Sequence, residues 1–453
     1  MSSTSQESDV GAALAQESAR AGVTMLDLRY GLEDKPGPVP TVLFGLQHVL
    51  VMFTAMIASP LVIGQLLNLS PELRATMVTG VMLGCGIGTV ISALGLGFVG
   101  ARLPLLLGAY AVYIGPVVAM AKATSLGAAT TAMILGGLIL FALSPLIGKL
   151  RNLFPPVVVG TLLVITGVTL IRIAVNIAAG VNTPYAGNPL TIFLVVGSIL
   201  LILAINRLTT GFLRSLSVFV ALICLYVISI PLGLANFAAV GNAPWFRLPS
   251  LAPYGPLAWP DAANLITVIV YHLVAAIYTM SITLALCKML AIEGSEWRIR
   301  GAVAADGLGS AVAALFGGVP LISYDQNVGA ISLTGVGSRF VVAVAGAILI
   351  VMALLPKIGA VIAIVPPFVL GGTLIFMFAM IAAVGVGILA DSMRTQRDLL
   401  LLAASLGLST AVNFAPPAIF EAVPQSIRIL ASDGIVVGTV MAVFLNLVLP
   451  HRD

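Results

Sequence analysis

Charge is scarce in this 453-residue chain: Asp, Glu, Lys and Arg together make up 8% of it, against 60% hydrophobic residues, and the mean hydropathy is +1.13. A soluble domain carries roughly 25% charged residues, so a chain this apolar has too little polar surface to face water. Cysteine and histidine are equally sparse, with three of each. Cys85, Cys224 and Cys287 all sit in apolar runs, which argues against a disulfide scaffold or a metal centre. The net charge of +4 is small and its basic residues are scattered, so there is no basic stripe for nucleic acid. No nucleophile–base set or phosphate loop is visible, which argues against an enzyme, and no cofactor is expected.

What the chain does have is long apolar runs. Thr41 to Gly64 and Gly434 to Leu449 hold no Asp, Glu, Lys or Arg. A helix needs roughly 20 apolar residues to cross the hydrocarbon. The expected fold is therefore an all-α polytopic membrane protein. The expected spans are 41–64, 73–98, 102–121, 126–148, 156–177, 189–206, 212–232, 262–290, 298–317, 319–335, 339–355, 360–389, 397–415 and 434–449, fourteen in all. Residues 1–40 mix Ser, Glu, Asp, Arg and Pro and do not read as a signal peptide. This tail is expected to be cytoplasmic and partly disordered. With the N-terminus inside, the cytoplasmic side receives 15 of the 21 Lys and Arg residues and the outer side 6, as the positive-inside rule requires. The C-terminus is then inside too, and the loop 233–260, with Trp245 and Trp259, lies outside.

The chain also repeats itself. Residues 138–148 (LILFALSPLIG) resemble 349–359 (LIVMALLPKIG), and Pro155, Pro156, Val158 and Gly160 fall opposite Pro366, Pro367, Val369 and Gly371. Each pair is 211 residues apart (356 − 145). At roughly 30 residues per span and loop that is about seven spans, an odd number, so the copies cross the membrane in opposite directions. A 7+7 inverted repeat of this kind is a transporter signature, with the site at the midplane between broken helices. Two segments qualify as broken, both the third span of their half: Arg102 to Tyr110, and Gly317 to Tyr324 before Asp325. Non-helical backbone at membrane depth is tolerated only when buried in protein or lining a cavity.

Polar residues inside the membrane mark candidate chemistry. Gln326 and Asn327 open the half-helix of span 10, and an amide offers both donor and acceptor to the edge of a planar heterocycle. The alternative is that they tie a broken helix to its neighbour, which suits Asn327 better. Gln47 is a secondary pocket candidate, and His48 reads more as a helix–helix hydrogen bond. Tyr110 heads the half-helix of span 3 and can stack on a flat substrate, or simply pack; Ala109 precedes it at the same break.

These strings carry a resemblance. Gln326-Asn-Val-Gly-Ala-Ile-Ser-Leu-Thr334, the following Gly335 to Arg339, Tyr30-Gly-Leu-Glu-Asp-Lys-Pro36, Gln47-His48 and Ala305-Asp-Gly307 resemble the motifs of the nucleobase–ascorbate transporter family, the xanthine/uracil permeases, over nearly the whole chain. The resemblance implies fourteen spans in two inverted halves, with short antiparallel strands in broken spans 3 and 10. It also implies a core domain (41–148 and 261–355) and a gate domain (149–232 and 356–453) that slide past each other. Members are commonly homodimers that move purines, pyrimidines or similar planar compounds with H+ or Na+. A small-molecule substrate, a lipid surround and the bacterial cytoplasmic membrane are expected.

One departure matters. The family's substrate-binding Glu of span 8 aligns with Met280, and Thr283 stands for the following Gly. Met280 is therefore expected to line the cavity. Asp325, His272, Tyr278 and Thr279 are candidates to compensate, Asp325 alternatively being a helix cap. Asp306 and Thr334 match supporting positions of the family. The expected function is a secondary active, cation-coupled transporter. The alternatives are an uncoupled facilitator or channel-like carrier of a small anion, and a non-transporting sensor on the same fold.

Overall fold

A computed structural model of the chain describes residues 28–147, 149, 154–180, 186, 188–234 and 237–449. The first 27 residues of the expected tail lie outside the described residues, as does Arg452. The main helices are α1 (Pro38–Leu66), α2 (Pro71–Leu94), α3 (Ile114–Ala123), α4 (Leu126–Ile147), α5 (Pro156–Ala178), α6 (Pro189–Leu208), α7 (Ser217–Ser229), α8 (Ala262–Met289), α9 (Glu296–Leu315), α10 (Asp325–Thr334), α11 (Arg339–Ala353), α12 (Pro367–Ser392), α13 (Gln396–Phe414) and α14 (Gly434–Val448). Two short strands interrupt them, β1 (Leu107–Ala109) before α3 and β2 (Leu321–Ser323) before α10.

The boundaries follow local chemistry. Proline at the first helical position opens α1, α2, α5, α6 and α12, where its missing N–H costs nothing. Side-chain caps serve others: Asp261 accepts the Asn264 N–H at 2.7 Å, and Asp433 accepts those of Ile435 and Val436 at 2.8 and 3.1 Å. Among the described residues seven helices are long and apolar enough to cross a membrane: α1, α2, α4, α5, α6, α8 and α12. The other expected crossings are made of shorter or more charged pieces. Expected span 2 stops at Leu94 instead of 98, and expected span 7 is broken into Gly211–Ser215 and α7. Expected span 12 does not begin at 360: α11 ends at Ala353, a separate helix Pro356–Ala363 leaves it at 83°, and α12 starts only at Pro367. Pro356 and Pro367 each lack the N–H that would continue the preceding helix.

The helices pack in two groups. In one, α9 packs on α4 and α2, α11 on α2 and α1, and α8 on α4 and α9. In the other, α12 packs on α5, α6 and α7, α13 on α14 and α5, α14 on α5, and α6 on α7. Small residues set the closest approaches. A Cβ on Gly137 of α4 would lie 2.6 Å from the Gly307 carbonyl oxygen of α9, and one on Gly86 of α2 would lie 2.7 Å from that of Gly346 of α11.

A strap from the N-terminal side fastens the far end of α10. The Tyr30 N–H donates to the Gly335 carbonyl at 3.1 Å and the Gly337 N–H returns to the Tyr30 carbonyl at 2.8 Å. The Arg339 guanidinium holds the Glu33 carboxylate at 2.8 Å and also donates to the Ala93 carbonyl at 3.2 Å.

Candidate functional site

The two strands meet in the interior, with all three residues of each buried. β1 and β2 run antiparallel, with Leu107 opposite Ser323 and Ala109 opposite Leu321. Their flanks extend the ladder: the Tyr110 N–H donates to the Pro320 carbonyl at 3.1 Å and the Tyr324 N–H to the Leu106 carbonyl at 2.9 Å. The first N–H of each strand is met by a hydroxyl from the preceding helix. Thr89 of α2 accepts the Leu107 N–H at 2.9 Å, and Ser310 of α9 accepts the Leu321 N–H at 2.8 Å. Buried strands need such partners because no water reaches them.

Side chains lock the crossing. The Tyr324 hydroxyl donates to the Ala109 carbonyl at 2.5 Å, and its ring lies where a side chain on Gly108 would be. Buried Asp306 of α9 accepts from the Ser323 N–H at 3.1 Å, the Ser323 hydroxyl at 2.9 Å and the Thr279 hydroxyl of α8. The Asn327 amide donates to the Pro104 carbonyl, and His48 of α1 is buried with its Nδ1 unpartnered among the described residues.

Beside the crossing lies a cavity of about 50 Å³. One wall carries Ala55 and Ala58 of α1, Ala109, Tyr110, Tyr278 of α8, Tyr324, Asp325 and Gln326; the other carries Leu163, Thr166 and Leu170 of α5 and Met377, Phe378 and Ile381 of α12. The Tyr110 and Tyr278 rings are near parallel, 6.0 Å between centroids and 18° between planes. The Tyr278 hydroxyl reaches the Asp325 carboxylate, which also accepts the Gln326 N–H at 2.9 Å. The Gln326 side-chain oxygen is buried without a hydrogen-bond partner among the described residues. Among the described residues, no Lys or Arg lines the cavity. The set offers aromatic faces for a flat ring, an unsatisfied amide for its edge, and a carboxylate at a helix N-terminus, where the dipole favours negative charge.

Of the residues singled out in the sequence, Ala109, Tyr110, Tyr278, Asp325 and Gln326 meet at this cavity. Asn327, Asp306 and Thr279 stand behind it in the bonds just described, and His48 is buried on α1 outside the cavity wall. Asp325 is the first residue of α10 rather than its cap; that position is Tyr324. Three expectations need correction. Met280 does not line the cavity: it is buried against Val159, Leu163, Ile277 and Ile299. It lies two residues beyond Tyr278, about 200° further around the helix. Gln47 is half-buried on α1 and is absent from the cavity wall. His272 is also absent from it; its Nδ1 lies 2.9 Å from the Val268 carbonyl and its ring meets Tyr113 edge-on at 5.1 Å. The Thr334 hydroxyl donates to the Ala330 carbonyl at 2.8 Å in the last turn of α10. Sequence reasoning missed Tyr324 and the whole α5–α12 wall. Tyr324 stands directly before Asp325 in the broken segment, whereas α5 and α12 read as uniformly apolar spans.

Two half-helices that begin at crossed strands, with a small aromatic and amide-lined cavity between two helix groups, define a membrane transporter. Comparison with known proteins gives its family. The family model Xan_ur_permease, described as "Permease family", matches residues 40–418. The Clostridium perfringens protein CPE0397 is 35% identical over 429 residues, 94% of each chain. The uric acid permease PucJ of Bacillus subtilis is 33% identical over 415 residues, 90% of this chain and 92% of that one. The chain belongs to this permease family: it is an integral, multi-pass membrane transporter of a small molecule, not an enzyme. Among solved structures, the transmembrane domain of the cyanobacterial bicarbonate transporter BicA is alike in fold, with a TM-score of 0.58 at 18% identity, covering 85% of this chain and 98% of that one.

Proposed function

We propose that the chain is a secondary active transporter of a purine or related planar base, working by alternating access. The unpartnered Gln326 amide beside the paired Tyr110 and Tyr278 rings carries this reading. A flat, polar-edged ring meets both demands, and a relative of 33% identity is named for uric acid. The cavity takes one wall from each helix group, so sliding one group past the other opens it to either side.

The full topology belongs to the same proposal: fourteen spans as a 7+7 inverted repeat, with the first helix group as core and the second as gate. The packing supports it, because contacts recur when each helix is exchanged for the one seven places away. The α4–α9 contact answers α11–α2, α12–α6 answers α5–α13, and α13–α14 answers α6–α7. We place the protein as a homodimer in the bacterial cytoplasmic membrane with both termini inside, an orientation supported by the 15-to-6 distribution of basic residues. Cysteine crosslinking in native membranes and terminal-tag accessibility test these two points.

Uptake of labelled uric acid, xanthine and uracil into proteoliposomes is the direct experiment. Saturable uptake of at least one is expected, driven by an inward H+ or Na+ gradient; no saturable uptake of any base sinks the proposal. Proton coupling places Asp325 at the centre. In Asp325→Asn, which keeps shape and helix-end hydrogen bonding, gradient-driven accumulation is expected to vanish while substrate exchange persists. Equal accumulation in mutant and wild type removes Asp325 from coupling.

A further inference from the structure

The wall of the cavity supplied by α5 and α12 is apolar except at one position. Leu163, Leu170, Met377, Phe378 and Ile381 present only hydrocarbon or a thioether; Thr166 presents a hydroxyl. Thr166 is 3% exposed, and its hydroxyl has no hydrogen-bond partner among the described residues. Other hydroxyls, those of Thr54, Ser59, Ser92, Ser144, Thr267 and Ser405, are also buried without a partner among the described residues, but none of these lines the cavity. Thr161 on the same helix donates to the Val157 carbonyl at 2.8 Å, and Thr130, Thr283 and Thr439 do the same one turn back on their own helices. Such back-bonding is the default for a threonine in an apolar helix, and Thr166 lacks it. Thr166 also lines a smaller adjoining cavity with Tyr110 and Tyr278, so its side chain faces the same space as the tyrosines. The helix is not free to roll away. At the next residue, a Cβ on Gly167 would lie 2.6 Å from the Phe378 carbonyl oxygen of α12.

We propose that Thr166 is a specificity-determining residue, whose hydroxyl hydrogen-bonds the edge of the bound base that faces α5 and α12, away from Gln326. The inference rests on the reading of the cavity as a base site. Bound between the two, the base has one polar edge held by the α10 arm and the other read by a single hydroxyl from the opposite helix group. Because a hydroxyl donates and accepts, it suits either an oxo group or a ring N–H. It discriminates against a base with hydrogen-only carbon at that position, because the hydroxyl would then stay unpaired in the complex.

The test is competition by hypoxanthine, xanthine and uric acid, which carry one, two and three oxo groups, against labelled uptake in proteoliposomes. Wild type is compared with Thr166→Val, which removes only the hydroxyl, and Thr166→Ser, which removes only the methyl. In Thr166→Val the best-bound purine is expected to weaken roughly tenfold, the effect of one hydrogen bond. The purine lacking the matching group should stay unchanged, and Thr166→Ser should keep the wild-type ranking. A wild-type ranking in Thr166→Val overturns the proposal. So does an equal shift in Thr166→Ser, which assigns Thr166 to packing. Failure of every base to compete in wild type overturns the base-site reading, and the role of Thr166 with it, and is distinguished by appearing before any substitution.

Discussion

The two broken arms share a backbone plan and differ in chemistry. Each has a three-residue strand, a tyrosine directly after it, and a ten-residue helix. Each strand's first N–H is taken by a hydroxyl from the helix before it, Thr89 for β1 and Ser310 for β2. The contents then diverge. The β1 arm runs Tyr110, Ala111, Val112 and Tyr113 through a tight 3-10 turn before α3 begins. The β2 arm puts Asp325, Gln326 and Asn327 in the first turn of α10. It is also held by Asp306, by Asn327 to Pro104, and by the strap at Tyr30. One arm shapes the cavity; the other supplies recognition and is fixed more firmly. Polar groups recognise only when they are positioned, so the arm that carries them is the one that is anchored.

The largest expected effect breaks what the arms share. Gly108→Ala drives a methyl into the Tyr324 ring, which cannot swing away because its hydroxyl is held at Ala109. Overpacking costs about 1–3 kcal/mol, occasionally more, and here it opens the crossing itself. Transport should be absent and the melting temperature in detergent lowered; wild-type values for both would show that the crossing tolerates a side chain. Next in size is the anchor. Asp306→Ala leaves the Ser323 N–H and hydroxyl and the Thr279 hydroxyl without their acceptor, at about 1–3 kcal/mol for each buried donor left unpaired. Thr89→Val removes a single bond from the other arm. Melting temperatures should therefore fall further in Asp306→Ala, and equal falls would contradict the difference in anchoring.

Recognition separates the arms more finely. Gln326→Ala should weaken base binding roughly five- to 150-fold, while Tyr110→Phe, which keeps the ring, should change it less than about threefold. Comparable losses in equilibrium binding assays would mean that the β1 arm also recognises through hydrogen bonds. The smallest effect concerns a residue outside both arms. Met280→Leu keeps volume and apolarity in a buried cluster, so the ranking of competing bases should be unchanged; a reordered ranking would return Met280 to the cavity.

Much of this arrangement is legible in the sequence where the chain breaks its own rule. Proline and glycine at membrane depth marked both arms, and amides after the second break marked Gln326. What stayed hidden depends on rotation and on partners. Tyr278, Thr279 and Met280 are consecutive, yet one faces the cavity, one binds Asp306 and one packs into apolar side chains. A stretch apolar on all sides gives no moment from which to read its orientation. Thr166 was invisible for the same reason: a threonine in a span is ordinary until the cavity it lines is seen. The 83° turn at Pro356 was hidden because a proline between two apolar runs fits a loop as well as a bent helix.

The crossed strands also impose an order on biosynthesis. Ala109 leaves the ribosome 212 residues ahead of Leu321, its partner in the ladder (321 − 109). At roughly 5–20 residues per second, that is an interval of about 10–40 s. Throughout it the backbone groups of β1 that β2 will satisfy have no ladder partner, in a solvent that supplies none. The first arm must therefore wait, sheltered by water, lipid headgroups or the insertion machinery, until the second arrives. A nascent chain halted between residues 110 and 320 can thread its early helices through the membrane, but it holds no binding site. It is also left with the unpaired strand that quality control is built to find.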